Sequence, residues 1–199
     1  MSFREIHFNW LEEIIFPAID WFYNESQDRD LIQRDASERT IVANIYCKAN
    51  TLFRQKQSQN SELDNLGIDL EYNRNFIDSK KAYEKCSLCH KEGCFIMQEG
   101  FHTEKIYPDF LIHQRGSNVN NQVAIEFKKA GNQDKEERNA DKTKLIYLTC
   151  QQPFPQNEDK NYKYHFGFFI DLDLERYSVT TYQDATYDIP RIRQGGVWL

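Results

Sequence analysis

Apolar residues fall at helical spacing at the start of the chain: Ile6, Trp10, Leu11, Ile14, Ile15, Ile19 and Phe22 recur through residues 5–23. Pro17 lies inside this run. It predicts a kink or a division, because its ring removes a hydrogen bond and clashes with the preceding turn. Residues 24–36 are polar and read as a loop. Ser37 then offers a hydroxyl to cap a second helix of about twenty residues. Ile41, Val42, Ile45, Ala49, Leu52 and Phe53 form its buried stripe. After a polar stretch at 54–66 the period changes. Residues 68–75 alternate and predict a strand. A second strand is predicted over 105–114 and a third over 122–129, joined by a polar, Gly-containing turn from Arg115 to Asn121. Residues 134–149 begin charged and then carry Leu145, Ile146 and Leu148, the pattern of an amphipathic helix. Residues 164–172 read as a buried strand, with an edge strand at 177–183 paired to it. The predicted order is helix, three strands, helix, strand, in one domain over 1–199. Residues 1–34 form an N-terminal helical elaboration and 76–104 an insertion.

A strand turns alternate side chains to opposite faces. In 122–129, Val123, Ile125 and Phe127 share one face and suit a core, while Ala124, Glu126 and Lys128 share the other. In the preceding strand Phe110 and Ile112 alternate with Asp109, Leu111 and His113. A hairpin between the two strands therefore brings Asp109 toward Glu126. Two neighbouring carboxylates repel unless a cation sits between them, and hard oxygen ligands suit Mg²⁺ or Mn²⁺. Lys128, on the Glu126 face, is placed to orient a water or to stabilise charge developing at phosphorus.

Pro108-Asp109 in one apolar strand, Glu126-Phe127-Lys128 in the next and an amphipathic helix after it resemble the PD-(D/E)XK, or restriction-endonuclease-like, nuclease superfamily. The matching element order spans roughly residues 35–175. The resemblance implies an α/β fold, a restriction-endonuclease-like core with a mixed central β-sheet flanked by helices. It implies Asp109 and Glu126 as metal ligands, the Phe127 carbonyl as a further one, and Lys128 as the residue that assists the attacking water. Glu38, on the helix before the first core strand, is the candidate acidic residue completing the site. Its alternative role is a first-turn glutamate stabilised by the helix dipole. The stretch Glu71 to Asn75 is similar to a segment of small bacterial proteins of the superfamily, which makes Asn73 and Arg74 candidate nucleic-acid contacts. Lys142 and Lys144 on the following helix are further candidates, with a solvated helix face as the alternative. The implied function is Mg²⁺- or Mn²⁺-dependent hydrolysis of phosphodiester bonds, of DNA, in a bacterial restriction-like or antiviral defence setting. Two other readings stay open: a catalytically silent interaction subunit of a larger complex, and a ribonuclease using the same site. A partner protein for targeting or activation, and a homodimer for double-strand cutting, are also expected.

Three of the five cysteines lie within nine residues. Cys86, Cys89 and Cys94 with His102 make a candidate tetrahedral zinc set, and His90 competes as fourth ligand. Such a site is structural, since metal binding supplies folding energy to a small insertion. The alternative is a loop with reduced thiols. Cys-x-x-Cys-His also fits covalent haem attachment, which requires export. Cys47 and Cys150 are expected in helices as core residues. The aromatics, Trp10, Trp21, Phe166, Phe168, Phe169 and Trp198 among them, have helical or strand spacing and are expected in the core rather than stacked on bases.

Aromatics at 14% and hydrophobics at 40% allow a buried core and exclude global disorder. The net charge of -6 runs against a dedicated nucleic-acid binder, which is usually basic. Local Lys/Arg patches and bound metal ions can still supply positive charge at a phosphate. No apolar run reaches the roughly 18 residues of a membrane span. The first residues are charged where a secretory signal is apolar, so a cytoplasmic location without membrane contact is expected.

Overall fold

The computed structural model describes residues 8–25, 29–70, 81–82, 104–105, 107–132, 134–151 and 162–199. The first helical run divides as Pro17 predicts, through a change of winding. A π-helical turn, Leu11–Ile15, passes into α1, Phe16–Asn24, and the Phe16 N–H reaches back five residues to the Leu11 carbonyl. Pro17 thereby falls in the first turn of α1, where a missing N–H costs least. Helix α2, Glu38–Gln57, starts at Ser37, whose Oγ accepts the Thr40 N–H at 3.2 Å. Such a cap contributes about 1 kcal/mol. Ile41, Val42, Ile45, Ala49 and Phe53 are buried along α2, and α1 packs beside it.

Strands β1 (Gly67–Leu70), β2 (Lys81–Ala82), β3 (Glu104–Lys105), β4 (Phe110–His113) and β5 (Asn121–Lys129) follow. Helix α3, Lys135–Thr149, leads to β6 (Phe166–Leu172), β7 (Arg176–Gln183), β8 (Thr186–Tyr187), β9 (Arg191–Gln194) and β10 (Val197–Trp198). The described strands build a mixed eight-stranded sheet in the order β1-β4-β5-β6-β7-β9-β10, with β8 on β7, and a separate β2-β3 pair. The β1-β4 and β4-β5 pairs are antiparallel. After α3 the chain returns as β6, parallel to β5. The molecule is thus mixed α/β, with helices on both faces of the sheet.

Val123, Ile125 and Phe127 join Phe110, Ile112, Phe168 and Ile170 in the core beneath α1 and α2. Fully burying a side chain such as Phe127 contributes about 1.5–3 kcal/mol. Ala124, Leu111, Leu145, Leu148, Phe169 and Tyr182 form a second, smaller core under α3. Gly167 sets how closely α3 approaches. A Cβ there would stand 3.0 Å from Thr149 Cγ2 and 3.3 Å from Leu145 Cδ2.

Several expectations change. The strand expected over 105–114 is broken: Lys105 pairs in the separate β2-β3 ladder, and β4 begins only at Phe110. Pro108, just before it, has no N–H to give a ladder. The 177–183 segment is no edge, because β8 and β9 pair along β7. Both are too short and too polar to register as periodic apolar runs. Arg193 of β9 is instead fastened by Asp20 at 3.1 Å and Glu12 at 3.4 Å, and Trp198 packs edge-on against Phe16 at 5.1 Å. Cys47 is exposed on α2 rather than in the core, and buried Cys150 lies one residue past α3. Asn73, Arg74, Cys86, Cys89, His90, Cys94 and His102 lie outside the described residues. No described helix is long and apolar enough to cross a membrane.

Candidate active site

The β4-β5 register pairs Phe110 with Ile125 and Leu111 with Ala124, so its continuation sets Asp109 opposite Glu126. Asp109 Oδ2 accepts the Phe127 N–H at 2.8 Å. The same continuation sets Phe127 opposite Pro108, which has no N–H for the Phe127 carbonyl. Glu126 is 1% exposed, and its Oε1 has no hydrogen bond. The Lys144 ammonium lies 3.1 Å from that oxygen, an ion pair outside hydrogen-bonding direction.

Around this pair stand Glu38, Glu137 and Asp141. Lys128 Nζ lies 3.0 Å from Glu38 Oε1, 2.8 Å from Glu137 Oε1 and 2.8 Å from Asp141 Oδ2. Glu38 Oε2 also accepts the Lys129 N–H at 3.1 Å, which ties the start of α2 to the end of β5. Asp141 bridges the two lysines, with Lys144 Nζ at 2.5 Å from its Oδ1. Five carboxylates thus face two ammonium groups: Lys144 is shared between Glu126 and Asp141, and among the described residues no ion pair reaches Asp109, so the cluster keeps an excess of negative charge.

The protonation equilibria follow from that imbalance. Burial raises the Asp109 pKa to about 6; the Phe127 N–H opposes the rise and the charge of Glu38 adds to it. Burial, then the charge of Asp109, pushes Glu126 well above the usual carboxylate range, against the pull of Lys144. Burial disfavours the Lys128 ammonium, but hydrogen bonds to Asp141, Glu137 and Glu38 outweigh it and raise its pKa. Lys144 is likewise raised, since Glu126 and Asp141 overcome its desolvation.

The fold therefore brings together Asp109, Glu126, Lys128 and Glu38, with the Phe127 backbone at the same strand end. It also draws in Lys144, which is not on a solvated helix face but pairs with Glu126 and Asp141. Nor does Lys128 stand alone beside Glu126, since three carboxylates hold it. Lys142 points away from the cluster, over the Phe169 ring at 5.1 Å. Sequence reasoning missed Asp141 and Glu137. Their signal is present, because Asp141 and Glu137 continue the Leu145–Leu148 stripe one and two turns back; Asp141 is buried and Glu137 is exposed near the start of α3.

The residues fit a divalent cation in donor type and charge. They offer two hard carboxylates and an adjacent backbone carbonyl, and one buried oxygen lacks a hydrogen bond. Among the described residues no three His, Cys, Asp or Glu side chains already converge as a ligand set. Asp109 and Glu126 would hold the ion with a backbone oxygen rather than a third acidic side chain.

Another buried carboxylate, Asp69 of β1, lies opposite Leu111 and leans toward the His113 end of β4. Asp69 Oδ2 is 2.9 Å from His113 Nε2 and accepts Arg115 Nε–H at 2.8 Å, and Arg115 reaches Oδ1 as well. Burial alone would raise Asp69, but these hydrogen bonds lower its pKa to about 2.

Neither a family model, nor a curated protein, nor a solved structure matches this chain.

Proposed function

We propose that the chain is a metal-dependent nuclease with a restriction-endonuclease-like core, hydrolysing phosphodiester bonds of DNA. The observation that carries this is buried Glu126, with an oxygen lacking any hydrogen bond, set opposite Asp109 where carboxylates outnumber ammonium groups. The order α2, three antiparallel strands, α3 and a parallel strand supports it too. A divalent cation on Asp109, Glu126 and the Phe127 carbonyl supplies Lewis acidity toward a phosphoryl oxygen and lowers the pKa of water.

The chain's own residues divide the remaining work. Asp109 is anchored through Oδ2 by the Phe127 N–H, which leaves its other oxygen to the cation. Lys128 stays protonated across neutral pH, so it acts as a fixed donor that orients a water or a phosphate oxygen, and not as a base. Glu38 and Asp141 hold that ammonium in place. Lys144 neutralises Glu126 until substrate and cation arrive, and is then a cationic donor beside the scissile phosphate.

A silent interaction subunit is the second reading. It is favoured by the ion pairs that already engage both lysines. Cleavage of circular duplex DNA, single-stranded DNA and RNA in Mg²⁺ or Mn²⁺ separates the readings. The native chain is expected to cut. Glu126→Gln and Asp109→Asn are each expected to lose on the order of a thousandfold in rate, about 4 kcal/mol of barrier. Equal cutting by native and variant chains would remove the site assignment. No cutting of any substrate favours the silent subunit, and RNA as the sole substrate favours the ribonuclease.

A further inference from the structure

A pocket of about 330 Å³ opens on the flank of α3 away from the acidic cluster, against β7 and β8. Asn139, Lys142 and Thr143 line its helix side, and Thr180, Tyr182 and Tyr187 face them. Its chemistry is the reverse of the cluster's. Among the described residues no carboxylate lines it. Among the described residues, the Asn139 amide and the Thr143, Thr180 and Tyr182 hydroxyls make no side-chain hydrogen bond. Thr180 and Tyr182 are nonetheless 6% and 2% exposed. Polar atoms that face a cavity without a protein partner are free to pair with a ligand. Tyr187 is 58% exposed, and its ring leans at 37° over that of Tyr182, 5.6 Å away, as an open aromatic wall.

The occupant follows from this lining. An aromatic wall stacks a planar ring, and an amide with hydroxyls reads donors and acceptors on its edge. The Lys142 ammonium is the charged group of the lining, which favours an anion nearby and disfavours a cationic ligand. The volume lies at the small end of ligand sites, about 300–1,000 Å³, too small for a base pair with its backbones. Pocket and acidic site lie on opposite flanks of α3, which packs over β5, β6 and β7. A nucleic-acid strand that reaches both passes over the helix and needs a few nucleotides to do so.

We propose that this pocket takes an unpaired nucleobase of the substrate strand, a few nucleotides from the phosphate at the acidic site, with Lys142 on a phosphate beside that base. This rests on the nuclease reading and narrows its substrate to strands that are single or locally unpaired near the cut.

The test is binding of a short single-stranded DNA carrying 2-aminopurine, with Ca²⁺ in place of Mg²⁺, compared with a blunt, closed duplex. The native chain is expected to quench the 2-aminopurine on binding. Tyr187→Ala is expected to abolish the quenching and weaken single-strand binding by about tenfold to a hundredfold, leaving duplex affinity unchanged. Asn139→Ala, at an exposed helix position, should show the same selectivity with a smaller loss. Single-strand binding that both variants retain in full, or equal losses on strand and duplex, would overturn the pocket assignment. Absence of single-strand binding by the native chain overturns it too. The nuclease reading is decided separately, by the divalent-dependent cleavage of native chain against Glu126→Gln.

Discussion

Asp69, opposite Leu111, leans toward the His113 end of the β1-β4-β5 meander and Asp109 precedes the other end, and burial drives both toward the protonated form. Their outcomes are opposite: Asp69 is lowered to about 2 and Asp109 is raised to about 6. The difference lies in what surrounds each. Asp69 receives His113 and both edges of the Arg115 guanidinium. Asp109 receives one backbone N–H and faces Glu126, Glu38 and Asp141. A buried carboxylate whose charge is answered within the chain is structural. One left short of positive charge keeps an affinity for something outside the chain.

Substitutions sharpen this contrast. The largest effect on stability is expected from Asp69→Ala, which strands buried His113 and the Arg115 fork and should cost about 2–3 kcal/mol. Urea unfolding with an unchanged slope would measure it. A smaller effect of opposite sign is expected at the other end. Glu126→Gln removes a buried charge that repels Asp109, while Lys144 keeps Asp141. It should raise metal-free stability by about 1 kcal/mol at neutral pH and abolish any rise in melting temperature with Mn²⁺. If Glu126→Gln is destabilising and Mn²⁺ protects it as well as the native chain, the two carboxylates do not differ in the way described.

The pH profile separates the two aspartates most finely. Asp69 is lowered from 3.8, so its contribution is present above that value and is lost as pH falls toward 2. Asp109 is raised from 3.8 to about 6, so its contribution is present in acid and is lost as pH rises through that window. Melting temperatures of Asp69→Asn should lack the acid-side fall. Those of Asp109→Asn should lack the decline between about 4 and 6. Protons compete with a cation for Asp109 and Glu126, so Mn²⁺ protection of the native chain should strengthen as pH rises through that same interval.

Much of the fold was legible where a strong period coincided with punctuation. Ser37 before an apolar stripe marked α2, and the alternation of 122–129 assigned each residue of β5 to its face. The chain's end was not legible. β8, β9 and β10 are two to four residues long, and β9 carries two arginines; β8 and β9 become strands because β7 offers edges, β10 because β9 does, and Arg193 finds Asp20 and Glu12. The acidic pair was legible for the same reason as β5: strand alternation is a local property, and a hairpin sets opposite residues side by side. The ion pairs of Lys144 with Glu126 and Asp141 were not legible, because helical spacing gives a face and not a partner.

The sequence by itself determined the winding at Pro17, the start of α2 and the two faces of β5, since each depends on steric and hydrogen-bonding rules that act within a few residues. Tertiary structure alone decided which carboxylates are neutralised. Lys128 meets Glu38 from ninety positions away and Asp69 meets Arg115 from forty-six, and no local pattern encodes either encounter. Charge balance in a buried site is a sum over elements brought together by packing. It therefore exists only once α2, α3 and the sheet have closed around it.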